Sequence, residues 1–264
     1  MKNFNLILTI LVFSFHILIA ASSDPVFGEN GMIVSTSKQA SEAGIEILKK
    51  GGNAVDAAVA VGFALAVTSS SNGNIGGGGF MVAAMTDGET FTLDYREKAP
   101  AAAHRDLFLN DSGNVVPGMS LFSRAGSGVP GTVDGLIRAL ADHGSGNITL
   151  RQALAPAIRL AEKGFELSHY EARRFNGYEG LFQSNDAAAA IFIRKDNNPW
   201  KKGDKLVQKD LAKTLKRISK YGRDGFYTGP VADLIVAEMK RGNGLISLED
   251  LKNYSSVYRD PVSG

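Results

Sequence analysis

The sequence contains no cysteine and only one tryptophan, and its net charge at neutral pH is only +2. Without cysteine, the chain can form neither disulfides nor thiolate metal sites. The small net charge, with no basic stripe interleaved with aromatic residues, argues against docking to a nucleic acid. No G-x-S-x-G elbow of a serine hydrolase occurs either. What remains is a chain of 264 residues, 44% hydrophobic, which is long enough to bury a core without staples.

The N-terminus has the three parts of a secretory signal: a basic start, an apolar run from Leu6 to Ala21, and small residues at its end. This pattern predicts a signal peptide over 1–23, cleaved between about Ala20 and Ser23, and therefore a periplasmic or secreted protein without a stable membrane anchor. The alternative is an uncleaved anchor, because the run is nearly long enough to span a bilayer. The remainder, 24–264, shows no internal boundary.

Periodicity and capping signals predict a mainly helical chain with one clear β-hairpin. We expect a short strand over 31–36, the hairpin over 80–96 with an Asp87-Gly88 tight turn, and a loop or small hairpin over 185–204 in which Trp200 packs. The helix 54–67 carries almost no polar residue after its first turn, so it should be buried all round. Helix starts are predicted at four capping pairs: Asn53 with Asp56, Thr149 with Gln152, Ser168 with Glu171, and Ser247 with Asp250.

The most informative stretch is the run Gly76–Gly79, which is followed by the hairpin and by Arg96. Four glycines in a row let the main chain approach a ligand or another segment closely, and an arginine beside them supplies a planar, permanent cation. Together they predict a pocket that binds a carboxylate. The alternative is a mobile loop, with Arg96 on a solvated strand face beside Asp94 and Lys98. The run continues neither as a dinucleotide-binding motif nor as a phosphate-binding loop.

The residues supply no self-sufficient catalytic centre. The four histidines, including His143 at a predicted helix end, have no metal-ligand spacing, and Ser127 lacks the strand and glycine spacing of a nucleophile elbow. We therefore expect no metal and no cofactor.

Several ordered motifs resemble the large-subunit half of bacterial γ-glutamyltranspeptidases. The resemblance covers essentially the whole chain after the signal. It rests on these stretches: Gly51 to Ala60, Gly76 to Phe80, Leu93 to Pro100, Gly128 to Val133, Pro156 to Ala161, Phe226 to Gly229 and Leu248 to Leu251.

The resemblance implies an α+β fold, the four-layer αββα sandwich of N-terminal-nucleophile hydrolases, incomplete in this chain. Such enzymes are inactive precursors that cut themselves and free a threonine, whose hydroxyl attacks and whose own α-amine is the base. The family transfers the γ-glutamyl group of glutathione or related amides to water or an amino acid. The arginine matched by Arg96 grips the α-carboxylate of that group, so Arg96 is the expected substrate-binding residue.

Two departures from the family pattern stand out. Ser69–Asn72 replaces a His-Pro or Asn-Pro pair before the glycine run, and no Thr-Thr-His sequence is present. The nucleophilic threonine is therefore expected beyond residue 264, in the C-terminal small subunit of the same precursor, and this chain alone should be inactive. Two alternatives remain open: an acylase of the same superfamily that removes a glutaryl-type group, and a truncated chain with only a binding or vestigial role.

Overall fold

In the computed structural model, which describes residues 25–262, all four predicted capping pairs form reciprocal capping boxes at helix starts. The chain divides into two units, and residues 25–32 of the first contain no helix or strand. The second unit begins at Ile33 and contains all elements described below. The predicted signal peptide and its cleavage site lie outside the described residues.

The helices of the second unit follow in chain order: α1 (Lys38–Lys49), α2 (Ala54–Thr68), α3 (Met119–Phe122), α4 (Thr132–His143), α5 (Leu150–Lys163), α6 (His169–Gly177), α7 (Glu179–Gln183), α8 (Asp186–Phe192), α9 (Lys209–Tyr221), α10 (Asp224–Tyr227), α11 (Gly229–Arg241) and α12 (Leu248–Asn253). The strands are β1 (Phe80–Ala84), β2 (Thr90–Asp94), β3 (Phe165–Glu166), β4 (Lys205–Leu206) and β5 (Val257–Arg259). Among residues 25–262, no helix combines the length and the apolar character that a bilayer span requires.

Helix α2 is the centre of the core and packs against α1, α4 and α5. Its small residues allow these close approaches: a Cβ on Gly62 would lie 2.9 Å from a methyl carbon of Leu136 on α4. Phe63 is fully buried, whereas Ala54 and Ala58 are exposed. The prediction of a buried helix is confirmed for most of α2. The expectation that it is buried on all sides was wrong, because part of its first two turns is exposed.

The predicted hairpin is confirmed, and β2 pairs on its other edge with β5, so the sheet order is β1-β2-β5 with both pairs antiparallel. The turn differs from the prediction. Only Gly88 has a positive φ, at 91°, and its N–H donates to the carbonyl of Met85 at 3.1 Å. Asp87 keeps an ordinary negative φ, so the connection is longer than a two-residue tight turn.

Two further predictions were wrong. Residues 31–36 form no strand, since no partner strand pairs with them in the described chain. The segment 185–204 is not a plain loop, because it contains helix α8, capped by the side chain of Asn185. Trp200 does pack as expected: its ring lies 6.2 Å from that of Phe175, and its indole N–H donates to the carbonyl of Phe192.

Candidate functional site

The structure places Arg96 two residues beyond β2, where the chain leaves the sheet. Its backbone N–H donates to Oδ1 of Asp94 at 2.9 Å, which holds the main chain in a fixed turn. Its side chain is 63% exposed, and Nε lies 3.5 Å from Oε2 of Glu97. Within residues 25–262 no other carboxylate pairs with this guanidinium, so most of its donors are open to a ligand.

The glycine run lies directly against the backbone of Arg96. A Cβ on Gly78 would sit 2.5 Å from the carbonyl oxygen of Tyr95 and 2.7 Å from the nitrogen of Glu97. None of the four glycines has a positive φ. The lack of a Cβ therefore matters most at Gly78, which meets backbone atoms, and at Gly79, where a Cβ would lie 2.9 Å from the Tyr95 ring, whereas at Gly76 the nearest atom would be 3.6 Å away. This confirms the predicted close approach and gives the run an architectural role.

Tyr254 fixes the same turn from the other side. Its hydroxyl donates to the carbonyl of Arg96 at 2.8 Å, and its ring stacks on Tyr227 with centroids 5.8 Å apart. A Cβ on Gly131 would lie 2.1 Å from that hydroxyl oxygen, so the contact requires glycine there. Burial raises the pKa of Tyr254 further above neutral pH, so the phenol stays a donor into the alkaline range as well.

A partly buried ion pair supports Tyr254. Asp134, on α4, accepts from Nε of Arg223 at 2.8 Å and from the backbone N–H of Ser256 at 2.7 Å. Arg223 in turn donates to the carbonyl of Tyr254. The hydroxyl of Tyr227 donates to the carbonyl of Pro130 at 2.8 Å. These contacts join α4, α10 and the segment before β5 into one frame around the Arg96 turn.

Sequence reasoning missed this frame. The motif containing Tyr227 contributed to the resemblance but received no role, and Tyr254, Asp134 and Arg223 were not selected at all. A polar residue on an otherwise apolar helix face, such as Asp134, is the signal that could have indicated a buried network.

The row of Asp94, Arg96 and Lys98 is not a uniformly solvated strand face. The backbone N–H of Arg96 and the guanidinium of Arg259 hold the pKa of Asp94 below its ordinary value. Lys98 donates to the carbonyl of Ser255 at 2.7 Å. Arg96 thus differs from its neighbours in having an exposed and loosely paired side chain.

The two buried threonines in the described chain, Thr68 and Thr132, are not arranged as activated nucleophiles. The hydroxyl of Thr68 donates back to the carbonyl of Ala64 within α2, and Thr132 is buried at the first position of α4. His143 stacks on Phe91 with ring centroids 3.7 Å apart. Across residues 25–262 no three His, Asp or Glu side chains converge to hold a metal ion. The exposed guanidinium of Arg96 offers hydrogen-bond donors of the kind that suit an anion.

The departure at Ser69–Asn72 is an ordered turn at the C-terminal end of α2. The backbone N–H groups of Asn72 and Gly73 both donate to the carbonyl of Ser69, at 2.9 and 2.7 Å. The turn lines a cavity of about 520 Å³ whose other walls come from α6, α7 and α8.

The sequence matches the family described as Gamma-glutamyltranspeptidase over residues 40–264. It is 47% identical over 256 residues to a glutathione hydrolase proenzyme of Pseudomonas sp. (strain A14), a match covering 97% of this chain and 44% of that protein. The chain thus spans less than half the length of this curated relative.

Solved structures give the same family and a wider fold class. The crystal structure of Helicobacter pylori gamma-glutamyltranspeptidase superposes with a TM-score of 0.87 at 44% identity, covering 90% of this chain and 68% of that one. Cephalosporin acylase from Bacillus halodurans superposes with a TM-score of 0.73 at 24% identity, covering 93% of this chain and 47% of that one, which shows a shared fold alone. These neighbours confirm the α+β fold of the N-terminal-nucleophile hydrolase type.

Proposed function

This chain belongs to the gamma-glutamyltranspeptidase family, and from that premise we propose that it is the large-subunit part of an exported enzyme acting on γ-glutamyl amides. The complete enzyme cleaves the γ-glutamyl bond of glutathione and related compounds and transfers the γ-glutamyl group to water or to an amino acid. The nucleophile in this proposal is an autocatalytically freed threonine of the small subunit, which none of the 264 residues supplies.

The observation that carries the proposal is the setting of Arg96. Its main chain is held by Asp94, Tyr254 and Gly78, while its guanidinium is exposed. A guanidinium can hold a carboxylate through two parallel hydrogen bonds, which fixes orientation as well as position. With the α-carboxylate of the glutamyl group anchored there, the far carbonyl is presented to the nucleophile in a fixed geometry.

The test is Arg96→Lys in the complete protein, with γ-glutamyl-p-nitroanilide as substrate. An ammonium keeps the charge but cannot reproduce the two-point contact, so we expect KM to rise at least about tenfold. The matched control is Arg105→Lys, since Arg105 is also exposed and its ion pair among residues 25–262 is with the adjacent Asp106. Unchanged KM and kcat in Arg96→Lys would remove Arg96 from the site.

A glutaryl amide separates this proposal from the acylase alternative. Glutaryl-p-nitroanilide has the same leaving group and terminal carboxylate as the γ-glutamyl compound but lacks the α-amine. We expect cleavage of the γ-glutamyl compound to dominate. Preference for the glutaryl compound would favour the acylase, for which the present support is a shared fold with a relative of 24% identity.

The 264-residue polypeptide alone should release no p-nitroaniline, because the proposed nucleophile is not among its residues. Measurable turnover by the purified polypeptide would place the nucleophile within this chain. Whether the reading frame continues past residue 264 separates the enzyme from a vestigial binding module.

A further inference from the structure

The cavity beside the Ser69–Asn72 turn has features that the γ-glutamyl site does not explain. It has a volume of about 520 Å³, within the range of small-molecule sites in proteins. Its lining includes neither Arg96 nor any glycine of the run 76–79. It is therefore a separate concavity, and its walls differ in chemistry.

One wall is aromatic. Phe175, Phe182 and Phe192, from α6, α7 and α8, form a packed cluster with ring centroids 5.0 to 6.3 Å apart. All three line the cavity. Aromatic rings gain additional attraction from another ring placed edge-on or offset at such distances, so this wall favours an aromatic ligand over an aliphatic one.

The side chain of Arg174, a permanent cation, also lines this cavity. The guanidinium of Arg174 donates to the hydroxyl of Tyr170 at 2.8 Å and lies 5.4 Å from the ring centroid of Tyr178. In the described part of the chain no carboxylate pairs with it, whereas Arg194 nearby is paired with both Asp196 and Asp204. The two tyrosines orient Arg174 without neutralising it.

One acid also lines the cavity, but it is already engaged. Glu171 accepts from the backbone N–H of Ser168 at 2.7 Å in the capping box of α6. The positive end of the helix dipole and this N–H compensate its charge. The lining also includes the hydroxyl-rich turn of Ser69–Asn72, which offers uncharged hydrogen-bonding groups.

The geometry points to a second binding site, for a small carboxylate that carries an aromatic ring. The ring packs on the wall of three phenylalanines, the carboxylate pairs with Arg174, and the serine turn closes the polar side. The site is independent of the γ-glutamyl chemistry and would persist if that chemistry were absent.

The test is equilibrium binding of 3-phenylpropionate to the complete protein by isothermal titration calorimetry. We expect a dissociation constant below about 1 mM. Arg174→Met should weaken binding at least about tenfold, because the partner of the carboxylate is lost while the stem is kept. The matched control is Arg173→Met, the preceding and exposed residue, which does not line the cavity.

A second variant tests the aromatic wall without opening a large void. Phe182→Leu should weaken 3-phenylpropionate about three- to tenfold and leave hexanoate, which has the same charge but no ring, nearly unchanged. Arg96→Lys should change neither affinity, which separates this site from the proposed substrate site.

We take a dissociation constant of about 10 mM as the weakest useful affinity. No detectable binding up to about 10 mM would overturn the proposal. The same result is expected if another part of the complete protein fills the cavity. If Arg174→Met, shown by circular dichroism to be folded, binds 3-phenylpropionate as tightly as wild type does, the proposal is also overturned. Binding that Arg96→Lys abolishes would assign the probe to the other site.

Discussion

The two faces of the β1-β2-β5 sheet differ sharply. On the inner face, Leu93 is fully buried and Phe91 is 6% exposed, because the helices of this chain cover them. On the outer face, Phe80 and Val82 of β1 are 58% and 72% exposed. The register explains the division, since Phe80 pairs with Asp94 and Val82 with Thr92, all on the side away from Leu93.

This difference shows how much of the fold the chain completes by itself. The exposed apolar side chains on the outer face belong to β1, whereas β2 presents threonines and Asp94 there. Grouped exposed apolar side chains are the kind of surface on which contacts with another segment form. The inner face anchors β2 and therefore the turn that carries Arg96. The outer face agrees with the family assignment, since in a sandwich of two stacked sheets each sheet needs a partner.

The largest contrast is expected from alanine substitutions on the two faces. In the 264-residue polypeptide, Leu93→Ala should lower the free energy of unfolding by about 3 kcal/mol, because it leaves a cavity in a packed core. Val82→Ala should cost less than about 0.5 kcal/mol, since its side chain has little packing to lose. Urea denaturation of both variants measures the difference, and equal costs would show that the outer face is packed as well as the inner one.

A charge on the outer face should change association. We expect the polypeptide to self-associate through its uncovered sheet, and Val82→Lys should shift it toward monomer in sedimentation velocity, because a lysine on an edge strand opposes pairing. The matched control is Val115→Lys, a 71% exposed valine outside the sheet, which should leave association unchanged. If the wild-type polypeptide is already monomeric, the outer sheet face does not drive self-association and this prediction is wrong.

Local signals predicted most of the elements around the site. Each of the four capping boxes is determined by two residues that lie three apart in the sequence. The hairpin is determined by apolar and polar residues that alternate on either side of a turn containing glycine. Helix α8 was missed although its signal is local: Asn185 caps a run of alanines, which are strong helix formers.

What the sequence could not predict is long-range. The pairing of β5 with β2 and the hydroxyl of Tyr254 on the carbonyl of Arg96 join parts of the chain far apart in sequence. Hydrophobic periodicity along the sequence carries no information about such long-range contacts. The residues and the resemblance selected Arg96, whose role stays a prediction, but they did not indicate the frame that holds its backbone.

A smaller effect tests how the inner side supports the site. Tyr254→Phe removes the donor to the carbonyl of Arg96 and should cost about 1 kcal/mol of stability. If the turn positions the guanidinium, KM for a γ-glutamyl substrate should also rise about threefold with kcat nearly unchanged. The matched control is Tyr258→Phe, whose hydroxyl donates to the exposed Asp142. A stability loss with unaltered KM would leave Tyr254 a structural role only.

The smallest expected effect concerns the one ion pair of β2 on the outer face, between Asp94 and Arg259 at 2.6 Å. The backbone N–H of Arg96 and this guanidinium lower the pKa of Asp94, so the carboxylate stabilises the folded state above the ordinary aspartate pKa of about 3.9. That stabilisation is lost as the pH falls through the lowered value. The test is to measure urea midpoints from about pH 6, two units above the ordinary pKa, down to about pH 2.5, below it. At the upper end Asp94→Asn should be less stable than wild type, and at the lower end the two midpoints should converge. Asp111→Asn, on an exposed loop outside the sheet, should show no such convergence. A difference for Asp94→Asn that persists at the acid end would mean that its side chain contributes by packing and that the charge on the outer face is incidental.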